Sequence, residues 1–200
     1  MRVRTRIAAT MAACLLAATG PAVAAEQGST DHRSLMAAQA DLFSNGSFEE
    51  PPVPPGTFLN LPAGKSIGPW TVESGSVDLI GSGYWEAADG GQSVDLNGLG
   101  SGRISQTFAT LPQQQYTLTY SLAGNPNGLP PVKTGTVSIN GETVQTFVFD
   151  ATGKTRSDMG YQTQTVNFTA TSSATTLTFT STTLGANGPV IDKVKICGCS

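Results

Sequence analysis

The chain predicts an all-β fold, an antiparallel β-sandwich, and three observations carry that expectation. Short runs of alternating apolar and polar residues recur at roughly 8 to 12 residue spacing, with turn-forming clusters between them. Threonine fills many of the polar positions, and a β-branched side chain favours strand over helix. No helix longer than a turn is needed to place the apolar residues, and no repeat of fixed period points to a solenoid or propeller.

Taken from the N-terminus, Arg2, Arg4 and Arg6 precede an apolar run from Ile7 to Ala18 and an Ala22-Val23-Ala24 cleavage pattern. This reads as a secretory signal over 1–25, which makes the protein secreted or displayed at the cell surface. Residues 26–40 are polar and alanine-rich without a period and are expected to be a flexible leader. No second run of about 20 apolar residues follows, so no transmembrane segment is expected in the mature chain. The mature chain of about 175 residues suits one domain with a sizeable core, placed at 41–197, and a tail at 198–200.

Within the domain, Asn45-Gly46-Ser47-Phe48-Glu49-Glu50 offers two carboxylates beside a glycine turn. Pro51 to Pro55 is too rigid and donor-poor for a central strand and should be an extended surface loop. Trp70, directly after Gly68-Pro69, is expected in the core. From Gly83 to Gly98 an aromatic pair, a glycine turn and a strand follow one another. Val94 and Leu96 are read as core, which turns Ser93, Asp95 and Asn97 to the other face, outward, with Gln92 close by.

The clearest strand is 115–122, where Tyr116, Leu118, Tyr120 and Leu122 share one face and Thr117, Thr119 and Ser121 the other. Gly124 to Gly128 reads as a loop tip presenting Asn125. Val137 and Ile139 lead into Asn140-Gly141, a two-residue hairpin signal, and the return strand to Asp150 carries Val144, Phe147 and Phe149. Val166 and Phe168, then Leu177 and Phe179, mark two further core strands. In the last strand, strict alternation puts Val190, Asp192, Val194 and Ile196 on one side and Ile191, Lys193 and Lys195 on the other. That row holds a carboxylate among apolar side chains, so Asp192 must be paired, hydrogen-bonded, at a rim or bound to a metal.

Charge narrows the partners. The chain has 11 basic and 14 acidic residues; without the three signal-peptide arginines eight basic residues remain, a net of −6. Lysine and arginine are dispersed, which argues against nucleic acid. Cys197 and Cys199, in the terminal CGCS, cannot staple the core; they would be paired, bonded to another chain or reduced. The single His32 lies in the leader, which argues against zinc and against histidine-assisted nucleophiles. No G-x-S-x-G, H-E-x-x-H, P-loop or dinucleotide fingerprint occurs.

What remains is binding chemistry. Tyr84 and Trp85 supply a flat apolar face, and Asp89, Gln92, Asp95 and Asn125 supply polar groups, a combination suited to carbohydrate. The competing structural reading makes the aromatics core and the D-G-G and N-G groups turns. Calcium, an oxygen-seeking ion suited to extracellular proteins, is the plausible metal, between Glu49 and Asp192 at opposite ends of the domain sequence. Glu73, Glu86, Asp89 and Asp95 leave open a carboxylate-based glycoside hydrolase.

Six ordered blocks resemble one family. NGSFEEP with its proline-rich loop, GPWTVESGSVDLI, GYWEAADGGQSVDLNG, ISQTFAT, YSLAGNPNG and GPVIDKVKI together resemble the DUF642 domain, in its bacterial choice-of-anchor C branch, from Leu42 to Ile196. The resemblance implies a galactose-binding-like jelly roll and a non-catalytic carbohydrate-binding role toward cell-wall or extracellular polysaccharide. It also implies a structural calcium at Glu49 and Asp192. Members of that branch often end in an anchoring tail, and the CGCS end departs from the pattern. The expectation is therefore a secreted carbohydrate-binding protein and not an enzyme. The alternatives are an adhesive extracellular protein with protein partners and, second, the hydrolase.

Overall fold

A computed structural model describes residues 43–198; the expected signal peptide and leader, with Cys199, lie outside the described residues. Twelve strands form two six-stranded antiparallel sheets. The first sheet runs β1 (Phe58–Pro62), β4 (Ser76–Ile80), β5 (Ser93–Asp95), β12 (Pro189–Gly198), β7 (Gln115–Gly124) and β10 (Gln162–Thr169). The second runs β2 (Ser66–Ile67), β3 (Trp70–Ser74), β6 (Arg103–Ala109), β11 (Ala174–Ser181), β8 (Val132–Ile139) and β9 (Glu142–Asp150). The expected all-β antiparallel sandwich is what the chain forms, and no helix occurs among the described residues.

The core lies between the sheets, where the alternating strands put it. Leu118, Tyr120 and Leu122 of β7 face Leu177 and Phe179 of β11 and Val137 of β8, all essentially buried. Trp70 is fully buried, its indole N–H donating to the Asn45 carbonyl at 3.0 Å, with Phe43, Phe48 and Phe179 around its ring. The Asn140-Gly141 turn joins β8 and β9 with positive φ at both residues, 50° and 85°, as a twist-matched hairpin demands. In the proline-rich loop the prolines are exposed and Val53 alone is buried.

The last strand differs from its expectation. Ile191 pairs Leu122 and Ile196 pairs Leu118, both inward partners, yet they are an odd number of residues apart. A bulge at Lys193, whose φ is 52°, absorbs the difference. The row of Val190, Asp192, Val194 and Ile196 is therefore broken: Asp192 pairs Ser121 on the outer face, while Val194 and Ile196 face the core.

A second correction concerns that outer face. Ser93, Asp95 and Asn97 do point away from the sandwich core, but they are fully buried, because the β4–β5 connection (81–92) and the β9–β10 connection (151–161) roof the first sheet. Met159, fully buried, and Trp85 pack in this roof. The Glu86 amide donates to the Arg156 carbonyl and the Met159 amide to the Glu86 carboxylate, joining the two connections. Where the chain enters and leaves the domain, Val194 N donates to the Gly46 carbonyl at 2.8 Å, and Phe43 and Cys197 line one shallow depression.

Candidate functional site

A cavity of 330 Å³ opens at the rim of the roof, lined by Phe58, Asn60, Asp78, Tyr84, Trp85, Leu99, Asn125, Asn127, Arg156 and Asn187 among others. Strand alternation delivers its floor. Leu61, Val77 and Leu79 of β1 and β4 point into the core, so Phe58, Asn60 and Asp78 point out. Phe58 is half-exposed and meets Tyr84 edge-on at 5.6 Å. Asn60 donates its amide to Asp78 Oδ1 at 2.7 Å, and burial raises the Asp78 pKa against that hydrogen bond.

Tyr84 and Trp85 do not make one flat face. Their rings meet at 70°, and the Arg156 guanidinium sits 4.3 Å over the Tyr84 ring, covering one side. Trp85 is 5% exposed, with its indole N–H donating to Ser93 Oγ at 2.8 Å, so most of its surface serves the roof. Arg156 donates Nη2–H to the Tyr84 hydroxyl and Nε–H to Asn127 Oδ1. Asn125, also at the cavity, donates to Asp95 Oδ2 at 2.7 Å and accepts from the Asn127 amide.

Of the residues read from the sequence as sugar contacts, Tyr84, Trp85 and Asn125 come together at this cavity, and Asp89, Gln92 and Asp95 do not line it. Gln92 is buried, its side chain bonded to the Val53 amide and to the Phe48 and Pro51 carbonyls, where it pins the N-terminal segment to the roof. Asp89 accepts from the Ser47 hydroxyl. Asp95 is fully buried beneath the cavity, and burial pushes its pKa up to about 7 despite hydrogen bonds from Asn97, Asn125 and Gly188.

Phe58, Asn60, Asp78, Asn127 and Arg156 escaped the sequence reading. The alternation of Phe58-Leu59-Asn60-Leu61 beside Asp78 could have revealed the first three. Arg156 had no local signal, since it meets Tyr84 across 72 positions of chain.

Glu49 and Asp192 hold the same loop from two sides. Glu49 Oε1 accepts the Gly91 and Gln92 amides, and Asp192 Oδ2 accepts the Ala88 and Asp89 amides while Oδ1 accepts that of Lys193. Burial raises the Asp192 pKa to about 7, with a smaller contribution from the Asp89 charge. Among the described residues no group of three or more acidic, histidine or cysteine side chains converges. The acids weighed for hydrolysis are dispersed: Glu73 accepts from Ser105 on the second sheet, and among the described residues Asp78 is the only carboxylate lining the 330 Å³ cavity.

A larger cavity of 680 Å³ lies on the outer face of the second sheet, lined by Arg103, Glu73 and the hydroxyls of Thr136, Ser138, Thr176 and Thr178. Among the described residues no aromatic side chain lines it.

Comparison with known proteins places the chain among relatives. Halomucin of Haloquadratum walsbyi (strain DSM 16790 / HBSQ001) is 36% identical over 170 residues, which are 82% of this chain and 2% of halomucin, so the chain spans a very small part of that relative. Among solved structures, TmCBM61 in complex with β-1,4-galactotriose is similar with a TM-score of 0.49 and 14% identity over 79% of this chain and 98% of that one. CBM35 from Cellvibrio japonicus Abf62 gives 0.48 and 19% over 72% and 95%. The profile described as a protein of unknown function, DUF642, matches residues 41–197, and the chain belongs to that family.

Proposed function

We propose that the protein is an extracellular, non-catalytic carbohydrate-binding domain whose glycan site is the 330 Å³ cavity. The observation that carries this reading is the half-exposed Phe58 ring standing beside Asn60, Asp78, Asn127 and Arg156 around one opening. A sugar presents a C–H face and a hydroxyl edge, and this arrangement answers both, with the aromatic ring for the face and planar polar groups for the edge. Among the described residues one carboxylate lines the cavity, which supports binding over hydrolysis, since most glycosidases use two. The signal pattern over 1–25 supports export, and cell-wall or extracellular polysaccharide is the ligand class.

Retention of the purified domain on an array of cell-wall polysaccharides tests this. Wild type is retained on at least one polysaccharide, and Phe58→Ala weakens that retention by about tenfold, the loss of about 1.4 kcal/mol of ring contact. Absence of retention on every polysaccharide sinks the reading. An adhesive domain with a protein partner is the second reading. It is favoured by Leu99, Leu129 and Leu184, each at least 80% exposed on loops at this end.

Calcium is proposed at Glu49 and Asp192 on the chemistry of their oxygens, in competition with the amide N–H groups that both carboxylates accept. Both offer carboxylate oxygens, and Asp192 is fully buried with no salt bridge to a basic side chain among the described residues. Calcium takes six to eight oxygens, so backbone carbonyls and water would complete the shell. When bound it would neutralise the buried charge and fasten the 88–92 loop to β12. Added calcium should stabilise the protein by about 1 to 3 kcal/mol in thermal unfolding, and Asp192→Asn should lose that response. An unchanged melting temperature on chelation removes calcium from the account.

A further inference from the structure

Three loops wall the cavity, and each reaches the same buried side chain. Leu99 stands on the loop that follows Asn97, Asn125 and Asn127 on the loop that follows β7, and Asn187 on the loop that ends at Gly188. Asp95 accepts the Asn97 amide at 2.8 Å, the Asn125 side-chain amide at 2.7 Å and the Gly188 amide at 3.0 Å. Four hydrogen bonds then run outward from this point. Asn125 Nδ2 donates to Asp95, the Asn127 amide donates to Asn125 Oδ1, Arg156 Nε donates to Asn127 Oδ1, and Arg156 Nη2 donates to the Tyr84 hydroxyl.

We propose that Asp95 is the positioning residue of the binding site, a buried carboxylate that touches no ligand and sets the places of Asn125, Asn127 and Arg156 by holding three loops at once. The proposal rests on the cavity being the glycan site and replaces the direct sugar contact that the sequence pattern gave to Asp95. Its ionised form accepts all three N–H groups; a proton removes one acceptor position and releases part of the wall.

The Asn97 side chain closes the same corner. Its Nδ2 donates to the Thr183 and Gly185 carbonyls, and its buried Oδ1 has no donor among the described residues. A Cβ at residue 188 would collide with both Asn97 Oδ1 and Asp95 Oδ1, so glycine lets the third loop bring its amide to the carboxylate.

The groups that face Asp95 bear on its titration. Asp78 on the paired β4 opposes its ionisation, and Lys133 on β8 favours it while donating Nζ–H groups to the Gly128 and Asn187 carbonyls. Tyr161, before β10, faces it as a neutral phenol whose pKa burial raises. On β12, Val190 pairs with it and Asp192 stands two residues farther along. Burial, acting against its hydrogen bonds, pushes the Asp95 pKa up to about 7, which brings its protonation into the range a solution titration can follow.

Nuclear magnetic resonance of the full protein tests the assignment without any glycan. The backbone amides of Asn97 and Gly188 and the side-chain amide of Asn125 should shift together between pH 5 and 8 with one midpoint, and Asp95→Asn should abolish the shared shift. Asp78→Asn should keep it and move the midpoint down. Unlike midpoints in the wild type, or a shared shift that survives in Asp95→Asn, overturns the proposal, and the wild-type titration decides even if the variant does not fold. On the polysaccharide array, Asp95→Asn should weaken retention about tenfold, and wild-type retention should rise between pH 6 and 8. A wild type that no polysaccharide retains sinks the carbohydrate reading, while the amide titration still judges Asp95.

Discussion

The two sheets carry the same polar alternation on their outer faces and put it to opposite uses. On the second sheet, Thr176, Thr178, Thr136 and Ser138 remain partly open to solvent, and hydroxyls bond to one another, as between Thr107 and Thr176 at 2.8 Å. On the first sheet, Ser93, Asp95 and Asp192 occupy equivalent outward positions and are fully or almost fully buried under the two connecting loops. A bare hydroxyl face costs little and commits the fold to little. A roofed polar face must satisfy the groups it buries, and apart from Asn97 Oδ1 and the Tyr161 hydroxyl it does so with hydrogen bonds that fix the loops. The candidate site sits at the edge of the roofed face, where that order ends in an opening.

The largest way to break the contrast is to remove the roof's anchor. Trp85→Ala should destabilise the domain by about 3 to 5 kcal/mol, because the indole is buried and its N–H serves Ser93. Chemical denaturation measures this, and near wild-type stability would mean that the roof is not packed.

A pH series comes next. Burial pushes the folded-state pKa of Asp95 up to about 7, against about 3.8 for an exposed carboxyl, so the folded protein holds a proton that the unfolded chain has released. Its contribution is full below about pH 4 and is lost as pH rises through 7. Stability should fall by about 2 kcal/mol from pH 5 to pH 8. A melting temperature that rises over this interval contradicts the burial argument. The smallest effect belongs to the bare face, where Thr178→Ala should change stability by less than about 0.5 kcal/mol. A loss comparable with that at Trp85 would erase the distinction between the faces.

These expectations show how far the sequence was legible. Period two placed the core residues of β7 and β11, and Asn140-Gly141 placed its hairpin, because these signals are local and their outcome depends on the nearest strand. Alternation also assigned Asp95 and Ser93 to the face opposite Val94 correctly. It could not show that another part of the chain covers that face. The Lys193 bulge was equally invisible, since one extra residue reverses parity without any glycine or proline to mark it. At the candidate site, Tyr84, Trp85 and Asn125 were found by composition and loop context. Phe58 and Arg156 were missed because their place depends on roof packing between segments distant in sequence.

The hydrogen bond from Val194 to Gly46, with Phe43 and Cys197 beside it, brings the start and finish of the domain to one spot. A domain built this way can be spliced into a longer polypeptide as a side bead, since the host chain need not span its width. Several copies could then be strung along one molecule with little change in backbone path, each presenting its loops independently, and weak contacts to a repetitive surface would add up through avidity.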